Sequence, residues 1–177
     1  IVAVNATTGE YVWHYQTVQH DGWDLDAISP ITIAELPIEG VKRRVLMTAP
    51  KNGFFYVLDA KSGKFLSANN ITAVNWASHI DPKTGRPVTI ADARYWERPG
   101  KQTVVSPAVG GAHTWQAMAF NPATRLVYIP LGVTPTLMAT DPKAVVGGVS
   151  ADMYYGSSGD PKCTAHGELV AWDPLTQ

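Results

Sequence analysis

Ala3-Val4-Asn5-Ala6-Thr7-Thr8-Gly9-Glu10-Tyr11-Val12-Trp13 packs an apolar run, an Asn, a Thr-Gly pair and a second, aromatic run into one short stretch. Each residue type has a local role: Asn starts a turn, Thr bonds within it, Gly supplies positive φ, and the flanking runs are strands. The pattern returns as Val57-x-Asp59-x-x-Ser62-Gly63, Ala119-x-Asn121-x-x-Thr124 and Ala171-x-Asp173-x-x-Thr176, at intervals of 54, 62 and 52 residues. Intervals of that size mark stacked supersecondary units, and all-β units of this kind are the blades of a β-propeller. Three intervals predict about three blades in an all-β chain.

The strands between these turns are short, β-branched or aromatic, and bounded by Gly, Pro, Asn or Asp: residues 11–15, 45–48, 53–58, 126–130 and 169–172. Helix is scarce. Asp141-Pro142-Lys143-Ala144-Val145-Val146 is expected to start one helical turn, and the Pro/Gly-rich tract from Gly147 to Pro161 reads as a long insertion loop. Asp81-Pro82-Lys83-Thr84-Gly85-Arg86-Pro87 reads as a structural turn. It is not a phosphate loop, because no Gly-rich strand-to-helix pattern surrounds it.

The chain has 177 residues, 45% hydrophobic and 16% charged, which is globular composition. With a formal net charge of −1 and a single basic cluster, Lys42-Arg43-Arg44, there is no basic footprint for nucleic acid, and the cluster reads as a solvated hairpin end. No apolar run is long enough for a membrane span and the first residues are not a signal peptide. The lone Cys163 permits no internal disulfide and reads as incidental. The chain opens inside a strand pattern and closes in mid-turn, so one partial propeller domain over residues 1–177, cut at both ends, is expected.

Chemistry concentrates in His20-Asp21-Gly22-Trp23-Asp24-Leu25-Asp26. If the stretch from Trp23 to Ile28 runs extended, Asp24 and Asp26 share one face while Trp23, Leu25 and Ala27 share the other. Adjacent carboxylates raise one another's pKa, so the pair is either solvated at a loop end or holds a cation or a proton between its members.

Together with Gly9 to Gln16, the segments His20 to Asp24, Pro50-Lys51-Asn52-Gly53-Phe54 through Asp59, Gly110-Gly111-Ala112-His113-Thr114-Trp115 and Gly167 to Pro174 resemble, in order and spacing, the pyrroloquinoline quinone (PQQ) dependent alcohol dehydrogenases of the methanol/ethanol dehydrogenase family. The resemblance covers essentially the whole chain. It implies an eight-bladed propeller with PQQ in its central channel and a metal ion beside the reactive carbonyl. It places Asp24 on the catalytic base that takes the alcohol proton while hydride passes to PQQ, and Lys51 against the quinone oxygens. Both roles suit the residue types, a positioned carboxylate for proton abstraction and a fixed cation for developing negative charge.

By the same resemblance Asp24 and Asp26 are metal ligands, the ion being Ca²⁺ or a lanthanide. Asp at position 26 is similar to the lanthanide branch, and a trivalent ion tolerates one more carboxylate than Ca²⁺. Thr114 and Trp115 fall at positions that contact the cofactor, with Thr114 lacking the amide that relatives carry there and core packing the alternative for Trp115. Trp13 reads as packing between blades, His20 and His113 as structural, and Asn52 as either a cofactor contact or a turn former. The implied partners are a small alcohol and a cytochrome c or membrane quinone as electron acceptor, in the periplasm, with no nucleic acid and a homodimer left open. The family's remaining metal ligands, its PQQ-stacking tryptophan and its paired cysteines have no counterpart in these residues, so the chain alone is expected to be inactive. A non-catalytic propeller scaffold of the outer-membrane assembly type and a sugar-oxidising quinoprotein are the alternatives. Neither the particular alcohol nor the presence of a haem domain is legible.

Overall fold

The computed structural model describes residues 1–140, 145–146, 149–150, 154–156 and 165–177. In chain order its strands are β1 (Val2–Val4), β2 (Tyr11–His14), β3 (Thr32–Ile38), β4 (Val41–Thr48), β5 (Phe54–Asp59), β6 (Phe65–Asn70), β7 (Ala77–Ile80), β8 (Pro87–Thr89), β9 (Thr103–Val105), β10 (Ala119–Asn121), β11 (Leu126–Val133), β12 (Thr136–Ala139), β13 (Val145–Val146), β14 (Val149–Ser150), β15 (Tyr154–Gly156) and β16 (His166–Trp172). Two 3₁₀ turns, Ala91–Ala93 and Tyr95–Glu97, are the helical segments among the described residues.

β3-β4-β5-β6 form one complete four-stranded antiparallel blade. The β1–β2 hairpin lies to one side of it, and the β10-β11-β16 sheet to the other. The fold is an all-β propeller segment. All five strands expected from sequence are present, while β3 escapes the alternation rule because Pro37 sits inside it. Val145 and Val146 do not begin a helix: these β-branched residues pair with β14. Residues 141–144, most of the expected loop from Gly147 to Pro161, and Cys163 lie outside the described residues.

The blades stack through two-sided burial of β5. Phe54 and Tyr56 pack with Trp23, Leu25 and Trp76. On the opposite face Phe55 and Val57 meet Val127, Ile129 and Leu131 of β11. A strand buried on both faces loses polar alternation, which is why 53–58 reads as a continuous apolar run.

Each repeat turn has the same wiring. In the first, the Asn5 side chain accepts the Thr7 and Thr8 amides and the Asn5 carbonyl accepts the amide of Gly9. The turns at Asp59 and Asn121 repeat this, and at Asp173 the side chain accepts the Leu175 amide and the carbonyl accepts that of Gln177. A fifth copy stands at Asp81, whose carboxylate accepts Lys83 N–H and whose carbonyl accepts Gly85 N–H. The sequence repeat hid it because His79 takes the place of the small apolar residue that opens the other copies. Four residues after each Asn or Asp, φ is positive: +74° at Gly9, +69° at Gly63, +67° at Gly85, +61° at Arg125 and +48° at Gln177.

Trp13 packs on the next blade, against Leu46 and Leu58, with its ring over Gly63, where an added Cβ would lie 2.4 Å from the indole. Phe65, on β6, covers Gly85 of the following turn, where an added Cβ would lie 2.9 Å from its ring. The Lys42–Arg44 cluster begins β4 directly after the Glu39-Gly40 turn, with Lys42 paired to Glu35, as expected of a hairpin end. The turns occupy one end of the blades. The β2–β3, β4–β5 and β9–β10 connections gather at the other end, and these carry every candidate site residue.

Candidate functional site

Lys51 anchors the site from the short β4–β5 connection. Its residue is 7% exposed, and a buried ammonium requires partners. The Lys51 Nζ donates to the Asp24 carbonyl at 3.0 Å and to Asp26 Oδ2 at 3.1 Å, with Asp24 Oδ1 at 3.4 Å. Asp24 and Asp26 therefore do share a face, and the charge that permits it is the lysine ammonium. The route differs from the extended one expected from sequence, because Asp24 has φ +60° and no strand covers Trp23 to Ile28. Trp23 and Leu25 are buried at 1% exposure each, whereas Ala27 is exposed instead of joining them.

The two carboxyls differ electrostatically. Burial and a hydrogen bond with the Asp26 carboxyl push Asp24 above the ordinary carboxylate range, against the pull of Lys51. The hydrogen bond from Lys51 holds Asp26 below that range. Asp21 accepts the Trp23 and Leu25 amides at 3.0 and 2.8 Å, and partial burial raises its carboxyl in spite of both donors.

The β9–β10 loop closes over Lys51. Ala112 N–H donates to the Lys51 carbonyl at 2.9 Å, and a Cβ on Gly111 would lie 2.8 Å from Lys51 Cα, so only glycine allows the approach. Trp115, on this loop, is 77% exposed and takes no part in the core formed by the described residues. Thr114 is engaged locally, donating through Oγ1 and its amide to Gln116 Oε1. His113 is buried, its ring nitrogens against the Ala49 and Gln116 carbonyls at 2.6 and 2.8 Å, a structural setting as expected. His20 is exposed and lies against Trp96. Asn52 is a turn former: its Oδ1 accepts the Phe54 amide and its Nδ2 donates to the buried Tyr56 hydroxyl.

Of the surface concavities, one lies away from this cluster and another borders it. A groove of about 600 Å³ between Ile33, Lys42, Arg44 and Phe120 holds only an exposed ion pair. Asp26 edges another, of about 420 Å³, lined also by His14, Thr17 and Asp21. Buried lysine and paired carboxylates make the Lys51 cluster the chemically distinctive place. Among the described residues no three His, Cys, Asp or Glu side chains gather as a metal cluster. Asp24 and Asp26 fit as two oxygen donors for a hard cation, whose shell needs about six to eight.

A family model described as "PQQ: Glucose/ethanol/alcohol dehydrogenase, beta-propeller domain" matches residues 1–75. Lupanine 17-hydroxylase (cytochrome c) from a Pseudomonas species is 51% identical over all of this chain, which spans 25% of that protein. Over its whole length the chain is similar to quinohemoprotein alcohol dehydrogenases of the PQQ-dependent family. Among solved structures of this family, quinohemoprotein alcohol dehydrogenase ADHIIG of Pseudomonas putida HK5 superposes with a TM-score of 0.90 and 44% identity, over 99% of this chain and 28% of that one. A europium-containing methanol dehydrogenase superposes with a TM-score of 0.83 and 29% identity, over 99% of this chain and 31% of that one. The chain thus spans about a quarter of the length of the curated quinoprotein relatives it matches.

Sequence reasoning passed over Asp21 as a site residue. Its signal is an Asp three residues before the candidate base, in reach of the amides on both sides of it.

Proposed function

We propose that this chain supplies the base and the quinone-facing cation of a PQQ-dependent dehydrogenase that oxidises a small alcohol to its aldehyde. The observation that carries the reading is the convergence of Asp24, Asp26 and the nearly buried Lys51 at the loop end of the blades. When bound, PQQ supplies the carbonyl carbon that accepts hydride, and a Ca²⁺ or lanthanide ion supplies Lewis acidity beside it.

Asp24 takes the hydroxyl proton of the substrate. Its carboxyl, raised by burial, lies closer to neutrality than a free aspartate, which suits a general base. Lys51, held by the Asp24 carbonyl and by the carboxylates of Asp24 and Asp26, is a fixed positive charge for the quinone oxygen beside them. Asp24 and Asp26 are the metal ligands from this chain, and the exposed Trp115 and Thr114 complete its cofactor contacts. The electron acceptor is a cytochrome c or a membrane quinone, and the location is the periplasm. A cytochrome c acceptor has support in the name of the lupanine 17-hydroxylase relative, and lanthanide use in that of the europium-containing methanol dehydrogenase.

The 51% identity to lupanine 17-hydroxylase favours a second reading, in which a lupanine-like substrate replaces the simple alcohol. Turnover of the full-length protein with PQQ and Ca²⁺ or La³⁺, on a panel of alcohols, aldoses and lupanine, separates the readings. Asp24→Asn should keep the fold and lower turnover at least about 10²-fold. Near-normal turnover would remove Asp24 from the mechanism, and absence of quinone absorbance after PQQ addition would leave a scaffold.

A further inference from the structure

Asp21 commits both oxygens of its carboxylate to the backbone around Asp24. Oδ1 accepts Trp23 N–H at 3.0 Å and Oδ2 accepts Leu25 N–H at 2.8 Å, so the two amides it holds bracket the residue between them. That residue has φ +60°, a left-handed conformation that side chains other than glycine and Asn or Asp seldom adopt.

The flanking residues are fixed independently. Trp23 is buried and its indole donates to the Ala93 carbonyl at 2.7 Å; the Gly22 carbonyl accepts the Tyr95 hydroxyl at 2.7 Å; and Leu25 is buried in the same core. With both neighbours anchored, the left-handed turn at Asp24 sends its carbonyl to Lys51 Nζ while leaving its carboxylate beside the same ammonium. An extended residue at this point would separate these two contacts.

We propose that Asp21 is a positioning residue for proton abstraction: by clamping the amides on either side of Asp24 it holds the base in the left-handed conformation that presents its carboxylate next to Lys51. The inference rests on the reading of Asp24 as the base. Asp21 touches neither substrate nor cofactor in this account and acts only through the backbone of residues 23–25.

The test uses the full-length protein loaded with PQQ and with whichever of Ca²⁺ or La³⁺ supports wild-type turnover. Asp21→Asn keeps the shape and one acceptor oxygen but turns an NH₂ toward an amide. It should lower kcat by about 10- to 100-fold, the range expected for a displaced catalytic group, with KM within about twofold and quinone absorbance per protein unchanged. Asp24→Asn, measured beside it, reports on the base itself. If Asp24→Asn abolishes turnover and Asp21→Asn does not lower kcat, the clamp is refuted and the base survives. If Asp24→Asn turns over normally, the underlying reading fails, and the clamp with it. A loss in Asp21→Asn that tracks lost quinone at constant kcat per bound quinone also overturns it.

A readout independent of turnover is a stability cycle. Glycine takes positive φ unaided, so Asp21→Ala should lower the urea midpoint less in an Asp24→Gly background than in the wild type. Equal shifts in the two backgrounds would show a turn that stabilises the loop without acting on Asp24.

Discussion

Replacing Gly63 by Ala tests how the blades are stacked, and its cost divides into two parts. The backbone part comes from φ +69°, where a Cβ costs about 1–2 kcal/mol, offset by about 0.4–1 kcal/mol from the less flexible unfolded chain. The contact part comes from Trp13, whose ring atoms would lie 2.4, 2.6 and 3.0 Å from the new Cβ. The indole is held between Leu46 and Leu58 and has to shift as a rigid body, a form of overpacking that costs about 1–3 kcal/mol. Gly63→Ala should therefore destabilise by about 2–4 kcal/mol. Gly9→Ala supplies the control, since Gly9 has φ +74° at the same place in its repeat and nothing within 4 Å of its added Cβ, leaving a backbone part of about 1 kcal/mol. Urea unfolding of the full-length protein, followed by tryptophan fluorescence, reads both. Equal midpoints for the two variants would refute the claim that Trp13 docks on the neighbouring blade through Gly63.

Three further outcomes bear on the site and the turns. Lys51→Met removes the one ammonium between Asp24 and Asp26 and should weaken PQQ binding at least about tenfold in a titration of quinone absorbance; unchanged affinity would take Lys51 away from the cofactor. Asp26→Ala should selectively abolish lanthanide-supported turnover while sparing Ca²⁺-supported turnover, and an unaltered metal preference would show that Asp26 is only the partner of Lys51. At Asp59 the Ser62 hydroxyl and the Ser62 and Lys61 amides hold the carboxyl below the usual range, so its contribution is complete above the unfolded-state value of about 3.9 and is lost as pH falls through the lower folded-state value. Asn does the same work at positions 5 and 121, so Asp59→Asn should keep the fold and flatten the acid limb of stability against pH; an unchanged acid limb would mean that the depressed carboxyl plays no part in it.

The exposed apolar side chains of Val2, Val4 and Tyr11 on the β1–β2 hairpin, and of Leu169 on β16, flank the complete blade. They lie where a propeller places the next sheet, in keeping with β5, which is buried because it has neighbours on both faces.

What the amino-acid sequence determined without help from the fold was local. Asn5, Asp59, Asn121 and Asp173 close their turns with bonds to residues two to four positions on, so residue type and spacing suffice to announce them, and regular intervals between them announce blades. That Asp24 and Asp26 share a face opposite Trp23 and Leu25 was expected from extended alternation, and the structure reaches it through a left-handed turn instead. Tertiary structure alone decided the rest. Lys51 reaches Asp24 across 27 positions because β3, β4 and β5 pair in one register and bring the β2–β3 and β4–β5 connections to the same end of the blade. The anchoring of Trp23 and Leu25 on either side of the left-handed Asp24 depends on the core they enter, and the exposure of Trp115 on how the loop before β10 lies over Lys51. Hydrogen bonds within a turn are set by neighbours in the chain, whereas the ammonium of Lys51 finds its carboxylates only after the strands have paired and buried the lysine beside them.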